Sequence, residues 1–433
     1  MSSVPAHDPD PSLDPTLDPT DTPVDPTDAT ATTTDTAEGP QRSTVASVLT
    51  GRTWRSMLQR AGIAFLITRV CVVAGAGIVA AQQVAEQRAD PNFVRPRSAV
   101  SLLVKVFTSW DGAWYQRIVT MGYPKVIPPH VTFGELEARA AFFPVFPLLA
   151  RWVDWILPGG PVTAGLVLNT LFGAGAVYVV GLLARQLFGD RAGYRAMLIM
   201  AFFPGSFVLT FYYSEATLIL VSAACLLMLL RKRWVLAGVL AAIGTGTRPN
   251  GVALCAACAV AAFLAIRERR DWKSLIAPVL SPIGLIAFQV YLRVRTGEWA
   301  WIRVQREAWD EGTSFGLTAL RNTWEAFIHP LASPTDILTA VSFLVMIVLI
   351  VVMWKQRLPW PLVAYTVVVL LLMILPSTVT ARPRFLYTAF PAFISLAAWW
   401  PEEHEEAWGA AIALSAAGLV TLAGLYGVLG AIP

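Results

Sequence analysis

Apolar runs dominate the chain. They lie near 61–81, 161–183, 194–211, 214–230, 234–250, 251–266, 275–293, 336–354, 360–378, 385–400 and 408–430, with short polar breaks between them. A helix needs about 20 apolar residues to cross about 30 Å of hydrocarbon, and several runs reach that length. The pattern predicts an all-α polytopic membrane protein with about eleven transmembrane helices. Two stretches are ambiguous: 234–266 reads as two short spans or one long tilted helix, and 385–400 is short.

A further apolar piece, Phe142-Phe143-Pro144-Val145-Phe146-Pro147 to Leu157, carries two prolines plus Arg151 and Asp154. At about 16 residues it is short for a span, and it reads as a juxtamembrane or re-entrant helix. The basic loops test that reading, because cytoplasmic loops collect Lys and Arg. If 142–157 does not cross, Arg185 to Arg195, Arg231-Lys232-Arg233, Arg267 to Lys273 and Lys355-Gln356-Arg357 all fall on the side of Arg52, Arg55 and Arg60. If it crosses, most of them flip outward. The expected topology has a cytoplasmic N-terminus, an outer C-terminus, and a first outer loop at 82–157 with juxtamembrane helices.

Composition supports the membrane class: 55% of residues are hydrophobic and 14% charged, against about 25% charged in a soluble domain. The net charge of +4 hides a division. Residues 1–40 hold eight Asp and one Glu with no Lys or Arg, leaving 33 − 20 = +13 on the remainder. Residues 1–50, rich in Asp, Pro and Thr, lack apolar surface and are expected to be a disordered cytoplasmic tail. Residues 51–433 form the transmembrane domain. Cys71, Cys225, Cys255 and Cys258 lie inside apolar runs and read as thiols facing core or lipid. No two histidines stand at metal-ligand spacing, and the outer loops hold no glycine-rich phosphate loop or DxD pair. No cofactor or metal is indicated, and a nucleotide-sugar site is disfavoured. Nothing points to nucleic acid or to a particular protein partner.

The topology that the basic loops select also places the polar clusters on the outer side. Ser109-Trp110-Asp111-Gly112-Ala113-Trp114-Tyr115 sets one carboxylate among three aromatic residues, a setting that can tune its pKa for work as a base. Arg248, Arg382 and Arg384 flank Pro249 and Pro383. Their forked guanidiniums suit the phosphate of a lipid, or they snorkel to headgroups. Glu215, behind Tyr212 and Tyr213, reads as an ion-pair partner of Arg248, a ligand for a sugar hydroxyl, or a metal ligand. Trp299, Trp301, Trp309 and Trp324 in the loop 294–335 suit stacking on sugars or an interfacial belt. Together these parts suggest glycosyl transfer from a lipid-phosphate sugar. Asp111 would take the acceptor's proton and the arginines would hold the departing phosphate. That phosphate is already an anion, so one carboxylate suffices.

Trp110-Asp111-Gly112-Ala113-Trp114-Tyr115 with Gly122-Tyr123-Pro124 resembles the WD-x-x-WY … GY loop of the PIG-V family, the GPI mannosyltransferase II-like membrane enzymes. Phe142 to Pro147 is similar to that family's FFPLYP segment. Phe203-Pro204 to Tyr213-Ser214-Glu215 is similar to its FP…YSE stretch, and Ala237-Gly238 to Thr247-Arg248-Pro249-Asn250-Gly251 to its AG…TRxNG stretch. The resemblance covers about residues 60–400. It implies a GT-C fold, a polyprenyl- or dolichyl-phosphate mannose donor, inversion at the anomeric carbon and Asp111 as the catalytic carboxylate. The expected contacts are Arg248, Arg382 and Arg384 to the donor phosphate, and Trp110, Trp114, Tyr115, Tyr213, Glu215 and Asn250 to substrate. The Ala- and Arg-rich composition is that of a high-GC bacterial protein, so a plasma membrane and an acceptor other than a GPI precursor are expected. A transporter or flippase of a lipid-linked sugar is the competing reading, and would call for inverted repeats and mid-membrane charges.

Overall fold

A computed structural model describes residues 41–90, 97–378 and 380–428. The described residues before Arg52 belong to a separate unit, and the packing below is that of the described residues from Arg52 onward. The expected acidic tail falls at 1–40 outside the described residues, and 41–50 belong to the first helix.

In chain order the helices are α1 (Gln41–Ala89), α2 (Ala99–Phe107), α3 (Asp111–Met121), α4 (Val145–Ile156), α5 (Gly160–Phe202) and α6 (Glu215–Leu230). Next come α7 (Trp234–Thr245), α8 (Ala253–Arg269), α9 (Ile276–Leu280), α10 (Ile283–Thr296), α11 (Ala300–Ala308) and α12 (Leu317–Ile328). The chain closes with α13 (Pro334–Gln356), α14 (Trp360–Ile374), α15 (Pro383–Thr388), α16 (Phe390–Trp399) and α17 (Glu405–Gly427). No strand forms among the described residues, where the only β pairing is an isolated bridge between Thr313 and Pro376.

Each of the eleven apolar runs carries helix. Six stretches are long and apolar enough to cross a membrane: Thr53–Ala89, Gly160–Phe188, Pro249–Arg269, Trp272–Thr296, Pro334–Gln356 and Glu402–Gly427. Shorter apolar helices occupy Glu215–Leu230, Trp234–Thr245, Trp360–Ile374 and Phe390–Trp399. α6 is apolar almost all round and buried on most of its faces, as a core helix should be. α5 is broken at Gly189 (φ 86°, ψ 179°), a non-helical conformation open to glycine at little cost, so it comprises two helical segments, one for each of the two apolar runs. The ambiguous 234–266 stretch is two helices. α7 stops at Thr245, a turn follows, and a 3₁₀ segment from Pro249 leads into α8.

Between α1 and α5 the described residues carry α2, α3 and α4. α4 holds Phe146, Pro147 and Ala150 inside while Trp152, Trp155 and Ile156 stay exposed, an amphipathic pattern suited to an interface. Two apolar clusters fill the interior. One runs through α1, α5, α6, α8, α14, α16 and α17. The other joins Trp114, Tyr115, Tyr123, Phe143 and Phe146 to Tyr212, Phe288 and Val304. The polar groups expected to do chemistry lie beside the second cluster.

Candidate active site

Asp111 is placed by a strained turn. α2 ends at Phe107 with Thr108 as its C-cap, and Trp110 takes φ 55°, ψ −123°, which is costly for a residue with a Cβ. The turn closes through Gly112 N–H to Ser109 O (3.0 Å) and Ala113 N–H to Trp110 O (3.1 Å). Asp111 therefore opens α3, where the positive end of the helix dipole favours its ionised form. The loop is tied to the bundle by Tyr212 N–H, which donates to Phe107 O at 2.9 Å.

Two glycines bring the arginines in. Gly251 packs so tightly on the end of α7 that a Cβ there would sit 2.2 Å from Gly244 O. That turn, closed by Gly251 N–H to Arg248 O (3.0 Å), aims Arg248 inward. A Cβ on Gly205 would lie 2.5 Å from Pro383 O, so only glycine lets the 3₁₀ segment Pro204–Leu209 meet the start of α15, which carries Arg384.

The charges converge. Arg384 Nη1 donates to Asp111 Oδ2 at 2.6 Å, and Arg248 Nη2 stands 3.6 Å from the same oxygen. Behind them Glu215, with no exposed side-chain surface, lies 2.9 Å from Arg248 Nη1 and 3.7 Å from Arg384 Nη1. These are close ion pairs, although neither Glu215 oxygen is aligned for a hydrogen bond. Arg248 also donates to Ser214 Oγ (3.2 Å), which shares a hydrogen bond with the Tyr115 hydroxyl (2.7 Å). Two acids and two arginines thus form a buried, formally neutral square. Burial by itself would raise the Asp111 pKa, but Arg384 and then Arg248 outweigh it and hold the carboxyl below its usual range.

The square borders a cavity of about 590 Å³. Of the expected substrate contacts, Trp110, Trp114, Tyr115 and Asn250 line it with Asp111, Arg248 and Arg384. Much of the rest of the wall is aromatic: Trp114 stacks on Phe142 (5.9 Å), and Trp309 meets Trp114 edge-on (5.8 Å). The tryptophans of the 294–335 loop divide, with Trp301 and Trp309 lining the cavity while Trp299 and Trp324 stay exposed.

Three expected residues do not reach the cavity. The Arg382 guanidinium donates to Thr339 Oγ1 and to the carbonyls of Ala381 (3.2 Å) and Thr335 (3.5 Å), so it ties α13 to the start of α15 and does not join Arg248 and Arg384. Tyr213 is fully buried beneath the Arg384 guanidinium, 5.6 Å from its ring centroid, where it supports the arginine. Glu215 serves as the ion-pair partner of both arginines and stays away from the cavity surface. The reason is shared: each lies one layer behind the wall, a depth that spacing along the chain does not encode.

Among the cavity residues that sequence reasoning missed, one is acidic. Glu311 lies on the loop after α11 and lines the same space. Thr378 Oγ1 donates to its Oε2 at 2.8 Å, while Oε1 is buried without a hydrogen-bond partner. Burial pushes its carboxyl above the usual range, beyond what the hydrogen bonds from Thr378 and Ser377 offset. The Asp310-Glu311 pair directly after Trp309 was the available signal. Two carboxylates line the cavity where one was expected.

Comparison with proteins of curated function gave no match. Among solved structures the chain is similar to ArnT from Cupriavidus metallidurans bound to undecaprenyl phosphate, at 15% identity, over 76% of each chain, with a TM-score of 0.47. The apo state of that protein gives 15% identity, the same coverage and a TM-score of 0.49. The archaeal oligosaccharyltransferase AglB from Archaeoglobus fulgidus, solved with an inhibitory peptide and a dolichol-phosphate, aligns at 14% identity with a TM-score of 0.40, over 84% of this chain and 56% of its own. Residues 143–292, which contain Glu215, Arg248 and Asn250 but not Asp111, Glu311 or Arg384, match the family described as dolichyl-phosphate-mannose-protein mannosyltransferase.

Proposed function

We propose that this protein is an integral-membrane glycosyltransferase with the GT-C architecture. It moves a mannosyl residue from a polyprenyl-phosphate donor to an acceptor hydroxyl, with inversion, on the non-cytoplasmic side of a bacterial plasma membrane. The observation that carries the reading is the meeting of Asp111, Arg248 and Arg384 at the wall of one aromatic-lined cavity. The family match over 143–292 supports the dolichyl-phosphate-type donor and the mannose.

The geometry fits the chemistry. Negative charge builds on the bridging phosphate oxygen as the anomeric carbon departs through an oxocarbenium-like state. Arg248 and Arg384 are fixed in advance by Asp111 and Glu215, so meeting that charge needs little reorganisation. The aromatic wall suits the apolar faces of sugar rings. Asp111 stands at the reacting centre, but its Oδ2 already accepts Arg384, so acting as the base requires the guanidiniums to turn to the phosphate first.

Membranes holding the full chain, supplied with labelled polyprenyl-phosphate mannose, test this. Wild type should transfer label to a non-donor product, and Asp111→Asn and Arg384→Met should each lower transfer by roughly 10²-fold or more at equal protein level. Label that crosses the bilayer still attached to its carrier would support the flippase instead, and transfer unaffected by both substitutions would end the proposal.

A further inference from the structure

We propose that Glu311 takes the proton from the acceptor hydroxyl, leaving Asp111 to hold the two arginines. The assignment rests on the glycosyl-transfer reading above and refines its acid–base step.

Both carboxylates line one cavity, but their surroundings differ in kind. Asp111 is committed, since its Oδ2 meets Arg384 at 2.6 Å and Arg248 at 3.6 Å. A carboxylate clamped by two cations is a weak proton acceptor, because protonating it breaks both pairs. Glu311 has no cationic partner among the described residues, and one of its oxygens is already anchored. Its other oxygen, Oε1, is buried and without a donor, a costly state unless something supplies one. Glu311 lines the cavity although Oε1 itself is covered, so a turn of the carboxyl brings that oxygen to an acceptor hydroxyl entering the cavity, which is such a donor.

The loop is built to hold this acid still. Ser314 N–H donates to Leu375 O (2.8 Å), Ser377 N–H to Gly312 O (3.0 Å), and Gly312 N–H to Ser377 Oγ (3.0 Å). Thr378 then fixes Oε2. The charged group that bears on Glu311 is Asp310, beside it in sequence; the other charged residues lining the same cavity are Asp111, Arg248 and Arg384. Burial raises its carboxyl toward the range in which a general base works best.

The step balances. The acceptor oxygen forms its bond to the anomeric carbon, and the bond from that carbon to the phosphate oxygen breaks with its electron pair going to the phosphate. The hydroxyl proton passes to Glu311 Oε1. The products are the glycoside, the polyprenyl phosphate held by the arginines, and a neutral Glu311 that returns its proton to water.

The experiment uses the full chain in proteoliposomes with labelled polyprenyl-phosphate mannose and a membrane extract as acceptor. Turnover is followed against pH, and protection against thermal unfolding by undecaprenyl phosphate is read in parallel. Wild-type turnover should rise with pH along a limb set by one carboxyl. Glu311→Gln should cut turnover roughly 10²-fold or more, flatten the limb and leave protection unchanged. Glu311→Asp should restore part of the turnover together with the limb. Asp111→Asn should lose protection. If Glu311→Gln does not accumulate, Thr378→Val keeps the acid but removes a donor to its charged form, and should move the limb to higher pH. Wild-type turnover in Glu311→Gln, an unmoved limb, or a matching loss of undecaprenyl phosphate protection overturns the assignment alone. A wild type that transfers nothing overturns the glycosyl-transfer reading and this step with it.

Discussion

Removing Arg384 tests the neutral square most directly. At an effective dielectric of about 20, unit charges 2.6 Å apart attract by roughly 6 kcal/mol. Much of that attraction is cancelled by the cost of taking both groups out of water, so the intact pair adds little net stability. Losing one partner is different, because Arg384→Met leaves Asp111 and Glu215 sharing Arg248 alone, a net buried negative charge. Breaking a buried pair in this way costs about 3–5 kcal/mol. Arg248 still stands 3.6 Å from Asp111 and 2.9 Å from Glu215, which places the expected loss near the lower end. Adding Asp111→Asn restores neutrality, so the double variant should be more stable than Arg384→Met although inactive. Thermal unfolding of the four proteins in one detergent forms a double-mutant cycle, with an expected coupling of about 1–3 kcal/mol. Zero coupling, or Arg384→Met as stable as wild type, would refute the account of the square.

Other expectations separate the wall of the site from its support. Arg382→Met should leave undecaprenyl phosphate protection unchanged while Arg384→Met abolishes it; equal loss in both would return Arg382 to the phosphate site. Gly251→Ala drives a Cβ to 2.2 Å from Gly244 O, so it should cost about 1–3 kcal/mol by overpacking and weaken donor binding through Arg248; unchanged unfolding and binding would show that the turn yields freely. Burial raises the Glu311 carboxyl, so the folded state disfavours its charge, and it weakens the fold as pH rises from the ordinary carboxylate range through the raised value. Glu311→Gln should therefore raise the unfolding temperature at neutral pH and leave it unchanged at pH below the ordinary carboxylate range; a gain of the same size at both would rule out ionisation as the cause.

The class of the protein and much of its element order follow from the hydrophobic pattern alone. A run of apolar residues forms helix in lipid because nothing else satisfies its backbone, so the eleven runs were legible without any contact being known. The proline and glycine breaks around 246–252 and 382–384 were legible too, and with them Arg248 and Arg384, since local chain stiffness places such ends. Asp111 stood out as a lone acid among aromatic residues. Depth was decided only by the tertiary structure. Arg382 and Arg384 are two residues apart in sequence, yet one ties α13 to the start of α15 and the other reaches Asp111, because Arg382 precedes α15 in extended backbone (φ −134°, ψ 151°) while Arg384 lies in its first turn, so their side chains leave in different directions. Tyr213 reads as a ligand in sequence but lies buried behind the wall, whereas Glu215 makes the ion pair with Arg248 that was one of its sequence readings. Glu311 enters the site through hydrogen bonds to residues 375–378, a pairing between distant segments that no local pattern records.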